Sequence, residues 1–315
     1  MPCHRRLARI PLRARLEGRR PLRRHPRFSV ITIVRDGEVH LAEAVESLRE
    51  QTVEDWELHI VDDGSSDGTI EIASGLAGDD PERIRLHRHP DGENRGMSAS
   101  RNLGLRHATG EFVTWLDHDD RLLPGKLEGF HEAMERSPEA VAVIGPCRRW
   151  WTWSASENED EDQTLPAGVL DTLLPPPGLL PVFLENPRTV PLGPLVRRRP
   201  LVAMGGHVER FRGMYEDQAF LARLMFRHPV FVIPQVLHLY RQHESSCVAQ
   251  THRSGLEVRT RRRFLHWLAM EFETCGPRDE KLRLEIARAT RATRSWRLRR
   301  WQRVLINLRS RKPVR

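Results

Sequence analysis

The 315 residues are 39% hydrophobic and 30% charged, with a formal net charge of +8, the make-up of a chain that folds in water around a sizeable core and not of a wholly disordered one. No apolar run reaches the ~18 residues a membrane helix needs; the longest, Val169 to Leu184, is broken by Asp171 and four prolines. The four cysteines are too scattered for a disulfide framework and fit a reducing compartment.

Charge is unevenly spread. Residues 1–27 hold ten Arg against one acid, residues 251–315 hold 19 Lys or Arg against six acids, and residues 28–250 carry −14. An acidic middle with two basic ends suggests a catalytic module with basic appendages, and no specific nucleic acid is expected as a partner. Residues 1–27 lack the apolar core of a secretory signal and read as a disordered tail, with an organellar transit peptide as the alternative.

From Phe28 the pattern is regular. FSVITIV is a β-branched run and predicts a buried strand. Val39, Ala42, Val45 and Leu48 fall at helical spacing, and WELHIV (56–61) predicts a second strand. Asp67 is placed to cap a helix through Leu76. A strand over 84–89, a helix over 97–107, the strand EFVTWL (111–116), a helix over 124–134 and a strand over 141–144 follow. Residues 150–200, with WWTW, ENEDED and many prolines, read as a long loop region, a lid or an acceptor-facing insertion. A helix over 217–226, a strand over 229–233 and a basic, mostly helical remainder from 251 complete the chain. The alternation predicts an α/β layer fold with a largely parallel sheet, divided into a tail (1–27), a main domain (28–250) and a C-terminal helical extension (251–315).

Carboxylates cluster in three places: Asp62 and Asp63, and Asp117, Asp119 and Asp120, each after a predicted strand; and Glu216 with Asp217. In an open α/β sheet, ligands bind outside the carboxyl ends of the strands, so such clusters can converge on one pocket. Each acid group read alone is also an ordinary turn. Competing motifs fail on spacing. No GxGxxG follows the first strand, where Arg35-Asp36-Gly37-Glu38 stands, and there is no P-loop. The two Asp-rich loops lack either the glycine or the terminal glutamate of a calcium loop. His238, His243, Cys247 and His252 have tolerable zinc spacing but no CxxC.

Taken in order, FSVITIVRDGEVHLAEAVESLREQTVEDWELHIVDDGSSDGT, NRGMSASRNLGLRHATGEFVTWLDHDD, GMYEDQAFLARL and YRQHESS resemble the family 2 glycosyltransferases of the GT-A fold, over about residues 28–246. The resemblance implies a nucleotide-diphospho-sugar transferase fold, a mixed, mostly parallel sheet flanked by helices. It implies that Asp63 contacts the donor base and that Ile33 and Val34 line the same pocket. Ile33-Val34-Arg35-Asp36 stand where many relatives read Pro-Thr-Tyr-Asn, so the base stays open, with a UDP-sugar as the expected donor. Asp117 and Asp119 match the DxD motif: Asp119 would bind a divalent cation (Mg²⁺ or Mn²⁺), and Asp117 would face the ribose or the ion. Asp217, paired with Glu216, would be the general base.

The chemistry suits those roles. A leaving nucleoside diphosphate gathers negative charge, which a cation on hard carboxylate oxygens offsets. Arg101 could add a bidentate phosphate contact, or be a solvated helix-face residue. His243 could reach the ion or the pyrophosphate, and Arg241 likewise. An acceptor hydroxyl needs a base during attack, and a carboxylate opposite the leaving group gives displacement with inversion. Trp150, Trp151 and Trp153 could stack on acceptor sugars or anchor the loop. From Asp279 to Leu308 an apolar stripe with Arg elsewhere fits either packing on the main domain, the favoured reading, or an interface with anionic lipid.

The expected activity is therefore inverting, metal-dependent, single-sugar transfer to a glycan, lipid-linked or other hydroxyl acceptor in cell-surface glycan synthesis. The expected place is the cytoplasm, with peripheral attachment at the inner membrane face through the C-terminal helices. Membrane helices and the QxxRW motif of processive relatives are not seen in the sequence. A nucleotidyltransferase using the same carboxylates, and a non-catalytic binder using the basic ends, are the alternatives.

Overall fold

A computed structural model describes residues 26–151, 164–165, 170–186, 192–244 and 246–293. The order is β1 (Phe28–Val34), α1 (Leu41–Arg49), β2 (Trp56–Asp62), α2 (Thr69–Asp79), β3 (Ile84–Arg88), α3 (Met97–His107), β4 (Phe112–Trp115), β5 (Arg121–Leu122), α4 (Lys126–Arg136), β6 (Ala142–Ile144), β7 (Cys147–Trp150), β8 (Thr164–Leu165), β9 (Thr172–Leu174), α5 (Leu180–Glu185), β10 (Leu195–Arg197), α6 (Arg198–Ala203), α7 (Glu216–Met225), β11 (Val230–Val232), β12 (His238–Arg241), α8 (Cys247–Arg253) and α9 (Glu257–Cys275). A last helix spans 280–293.

Eight strands form one sheet in the order β3-β2-β1-β4-β10-β6-β11-β9. β1 pairs in parallel with both β2 and β4, and this central trio is buried at every position. Strands covered on both faces need apolar residues without alternation, which is why FSVITIV reads as a continuous run. The two faces pack separate cores. Val30, Val34, Leu58 and Ile60 meet α1, α2 and α4 on one side. Ile31, Ile33, Val61, Val113 and Trp115 meet α3 and α7 on the other. The α/β class with its mostly parallel sheet and C-terminal helices is thus the one expected.

Three expectations are corrected. The stretch over 150–200 is not merely a loop: it supplies β10, which runs antiparallel between β4 and β6 in the middle of the large sheet. Three residues are too few to show a period, yet Leu195 and Val196 are fully enclosed. Secondly, Val39 precedes α1 and is 75% exposed, and Ala42 is exposed too; the buried face of α1 is Leu41, Ala44, Val45 and Leu48. Thirdly, α2 continues to Asp79, three residues past Leu76. The N-cap is Gly68 and not Asp67, which stands one residue earlier and accepts the Thr69 backbone N–H on Oδ1 at 3.1 Å.

A second, four-stranded sheet, β5-β12-β7-β8, has no counterpart in the sequence reading. The helices after 251 share a core with the main body: Phe264, Leu265, Trp267, Leu268, Leu282 and Ile286 pack with Tyr215, Ala219, Ala222 and Phe226. Over 280–293, then, the apolar stripe packs on the protein. Trp296, Val304 and Leu308 lie outside the described residues, as do residues 1–25 and Trp153.

Candidate active site

The carboxyl ends of β1, β2 and β4 open on one edge of the large sheet, and their loops interlock there. Asp36 Oδ1 accepts the backbone N–H of Ser66 at 2.8 Å, and its own N–H donates to Ser65 Oγ at 3.0 Å. Glu38 and Gly37 join the same loop through Asp67, Gly68 and Thr69. Short polar residues at strand ends fold into such reciprocal turns because their side chains satisfy neighbouring backbone groups.

β4 runs into the turn Asp117-His118-Asp119-Asp120, closed by the Asp120 N–H on the Asp117 carbonyl at 3.1 Å. The three acids of this turn face different partners. Asp117 Oδ1 accepts from Arg101 Nη2 at 2.7 Å. Asp119 Oδ2 lies 2.9 Å from His243 Nε2. Burial alone would raise the Asp119 carboxyl, but the hydrogen bond from His243 and the nearby His118 hold it at about 2. Asp120 is fully buried, between His238 Nε2 at 2.9 Å and the Arg241 N–H at 2.9 Å. Burial and the charges of Asp119 and Asp117 push its carboxyl well up.

The pair Glu216-Asp217 opens α7, where the helix dipole favours negative charge. The two carboxyls are driven apart. Burial would raise Glu216, but the Arg101 guanidinium and His207 bring it below its ordinary value. Asp217 is pushed up to about 7, by burial first and then by the Glu216 charge. Neighbouring carboxyls with separated pKa values are a mark of assigned acid and base roles. Arg101 joins the two clusters: Nη1 bonds Glu216 Oε1 while Nη2 holds Asp117.

Arg101, Trp115, Asp117, Leu192, Gly193, Pro194, His207, Asp217, Phe220, Leu221 and His238 line one recess, open to solvent, with about 390 Å³ of empty space. Gly193 forms part of its wall at φ +52, where a Cβ would come within 2.5 Å of the Trp115 carbonyl oxygen. Gly193→Ala should therefore lower stability by about 1–3 kcal/mol, by strain and displacement of β4. Chemical denaturation with an unchanged m-value measures it; an unaltered midpoint would show that the loop gives way freely.

Several expected roles change on this geometry. Arg101 is 5% exposed with both Nη atoms engaged, so it is a buried strut and not a solvated side chain. Asp63 is tied to a neighbouring loop. Its oxygens accept from the backbone N–H groups of Arg95 and Gly96 and from Asn94 Nδ2 at 2.7–3.2 Å, fixing the loop that enters α3. Ile33 and Val34 point into the two cores, 7% and 2% exposed, and do not line the recess. Arg241 is 2% exposed, donating to the Asp119 carbonyl at 2.6 Å and to Glu43 at 2.5 Å. Glu216, 3% exposed and ion-paired, holds position beside Asp217 and is not a second base. Asp117 and Asp217 line the recess, whereas Asp119 and His243, which pair with each other, are not among its lining residues.

Among the described residues, no group of three His, Cys, Asp or Glu has the arrangement to hold a metal ion alone. The zinc-like spacing breaks up, with His238 on Asp120 and His243 on Asp119. Asp119 Oδ2 and His243 Nε2 are bonded to each other at 2.9 Å. Once Nε2 gives up its proton, the carboxylate oxygen and the imidazole nitrogen would form a corner of two neighbouring ligands for a divalent cation that completes its shell with phosphate oxygens and water, a mixed set that departs from the all-oxygen shell Mg²⁺ prefers. Sequence reasoning passed over Lys126 and His207. His207 stacks on Phe220 at 4.3 Å between centroids, its Nδ1 3.4 Å from Glu216 Oε2. A histidine beside a glycine pair gave no signal of that contact.

Comparison with known proteins places this geometry in context. Residues 29–162 match the family model described as Glycosyl transferase family 2. EpsH of Bacillus subtilis is 30% identical over 233 residues, 71% of this chain and 63% of EpsH. The GalNAc(5)-diNAcBac-PP-undecaprenol beta-1,3-glucosyltransferase of Campylobacter jejuni is 37% identical over 123 residues, 39% of this chain and 38% of that protein. The chain thus spans less than two thirds of the length of these curated relatives. Among solved structures, S. aureus TarS 1–349 in complex with UDP-GlcNAc superposes with TM-score 0.62 at 18% identity, covering 84% of this chain and 70% of that one. Mannosyltransferase PcManGT from Pyrobaculum calidifontis, in complex with GDP-Man and Mn²⁺, gives 0.57 at 18%, covering 92% and 77%. These likenesses establish the shared fold.

Proposed function

With residues 29–162 matching the family 2 glycosyltransferases, we propose that the chain is an inverting glycosyltransferase that moves one sugar from a nucleoside diphosphate to an acceptor hydroxyl. The observation that carries this reading is the split pair Glu216-Asp217, tied by Arg101 to the Asp117 turn. Asp217, pushed up to about 7, is a carboxylate basic enough to take the acceptor proton and still ionised in useful amount near neutrality. The acceptor oxygen attacks the anomeric carbon as Asp217 accepts its proton, and the carbon–diphosphate bond breaks on the opposite face. One displacement inverts the configuration. Glu216 and Arg101 keep Asp217 in place, and the apolar walls given by Leu192, Pro194 and Phe220 limit water.

Asp119 and His243 would hold a divalent cation, Mg²⁺ or Mn²⁺, which would offset the charge gathering on the leaving diphosphate. A UDP-sugar is the donor favoured here; the UDP-GlcNAc complex of TarS and the GDP-Man complex of PcManGT make the two diphosphates to compare. The acceptor is a glycan, lipid-linked or other hydroxyl compound of cell-surface glycan synthesis. Among the described residues no helix is long and apolar enough to cross a membrane. The exposed Arg259, Arg262, Arg263, Arg288 and Arg291 of the last two helices give a basic surface for peripheral contact with an anionic membrane at its cytoplasmic face.

A thermal-shift comparison tests the donor site. A ligand at 100 times its Kd stabilises the native state by about 2.7 kcal/mol. UDP with Mn²⁺ should raise the Tm more than UDP alone, and Asp119→Asn should remove the metal-dependent part. Equal shifts with and without Mn²⁺ in the wild-type protein would count against the metal corner, and no shift with either UDP or GDP would count against the transferase reading.

A further inference from the structure

Lys126, in the first turn of α4, is 1% exposed and has no part in the reaction described above. Its Nζ lies 2.8 Å from His238 Nδ1. The other nitrogen of that ring, Nε2, lies 2.9 Å from Asp120 Oδ2, and Asp120 Oδ1 accepts the Arg241 N–H at 2.9 Å. Three enclosed side chains thus run as one hydrogen-bonded chain from α4 to the turn that carries Asp119. The same turn is bound to β12 through Arg241 Nε on the Asp119 carbonyl and through the β5–β12 ladder. His243 follows β12 by two residues and meets Asp119. The backbone of Gly193 closes over the chain, since a Cβ there would lie 2.8 Å from Lys126 Nζ and 3.2 Å from His238 Nδ1.

We propose that Lys126 is a positioning residue for the cation-binding corner, acting through His238 and Asp120 to fix Asp119 against His243. The proposal rests on reading Asp119 and His243 as a divalent-cation site. In a neutral imidazole one ring nitrogen donates and the other accepts, so the partner at Nδ1 dictates what Nε2 presents to Asp120. With Nζ in place, His238 is held to one tautomer and one ring orientation. Without it the ring can exchange tautomers, Asp120 loses a fixed partner, and the join between the turn and β12 loosens. Removing outer partners of metal ligands commonly weakens metal affinity about 10–100-fold.

Two variants of the full chain separate positioning from simple packing. Lys126→Met keeps the length and loses every hydrogen bond, whereas Lys126→Gln keeps an N–H that can donate to Nδ1 as the lysine does. The ring nitrogens of ¹⁵N-histidine report the tautomer of His238, and Mn²⁺ titration in the presence of UDP reports the corner. We expect a single His238 tautomer in the wild-type protein and in Lys126→Gln, and a mixture in Lys126→Met. We expect Mn²⁺ affinity to fall about 10–100-fold in Lys126→Met, to stay close to wild type in Lys126→Gln, and metal-free UDP binding to be unaltered in both. The proposal is overturned if Lys126→Met binds Mn²⁺ like the wild type, if Lys126→Gln is impaired as badly as Lys126→Met, or if His238 keeps one tautomer in Lys126→Met. Should Lys126→Met not fold, the wild-type spectrum decides: tautomer averaging at His238 overturns the proposal. Failure of the wild-type protein to bind Mn²⁺ would remove the metal reading and the proposal with it; normal binding there with no change in Lys126→Met removes the proposal alone.

Discussion

Asp217→Asn should reduce sugar transfer by roughly 10²–10⁴-fold, the usual range for general acid–base catalysis, while nucleotide and metal binding stay near wild type. The substitution keeps the shape of the side chain and removes its basicity. Proton acceptance from the acceptor occurs only as the bond to the sugar forms, so the loss falls on kcat and not on donor affinity. A stability effect of the opposite sign should accompany it. In the folded chain Asp217 is pushed up to about 7, above the 3.8 of an ordinary aspartate, so between those pH values the folded chain holds a proton that the unfolded chain has released. Stability therefore falls as pH rises through that window. Asn escapes this penalty, so Asp217→Asn should melt higher than the wild type at pH 8 and at nearly the same temperature at pH 4. Transfer at the wild-type rate would remove Asp217 from the mechanism, and an unchanged Tm difference between pH 4 and pH 8 would show that its carboxyl is not perturbed.

Arg101→Met should be the most damaging single change to stability, at about 3–5 kcal/mol, the cost of leaving a buried charge without its partner. Arg101 is enclosed with Glu216 on one side and Asp117 on the other, and its loss leaves Glu216 buried without its main counter-charge, with His207 alone beside it. Lys would not substitute well, because one ammonium cannot present two donors in the fork geometry that spans both acids. The double variant Arg101→Met with Glu216→Met should recover much of the loss, since the uncompensated charge disappears. Urea unfolding of the two single variants and the double variant gives the coupling energy. Additive losses, with no recovery in the double variant, would show that the pair is not coupled.

Those two predictions concern residues of unequal visibility in the sequence. The split Asp217 and its neighbour stood out because two acids before an apolar helix are conspicuous, and β1, β2 and β4 stood out because strands covered on both faces need continuous apolar runs. Arg101 was visible as a residue but not in its role: its partner Glu216 is 115 positions away, and nothing local marks such a pair. Asp63 shows the same blindness, since a strand-end acid satisfied by the backbone of Arg95 and Gly96 looks identical to one awaiting a ligand. β10 escaped because three residues carry no period, although they occupy the middle of the sheet. Lys126 was passed over, because nothing local marks a lysine at a helix start as buried. Only the fold shows it enclosed beside His238.

The pH dependence of nucleotide-sugar turnover tests the central claim most directly, with water as the acceptor where no sugar acceptor is supplied. A base must be ionised to accept a proton, so kcat/KM should rise about tenfold per pH unit below the Asp217 pKa and level off above it, with the break at about 7. In Asp217→Asn that break should vanish from the residual rate. A wild-type profile that is flat from pH 5 to 9, or an inflection near 7 that persists in Asp217→Asn, would contradict the assignment of Asp217 as the base.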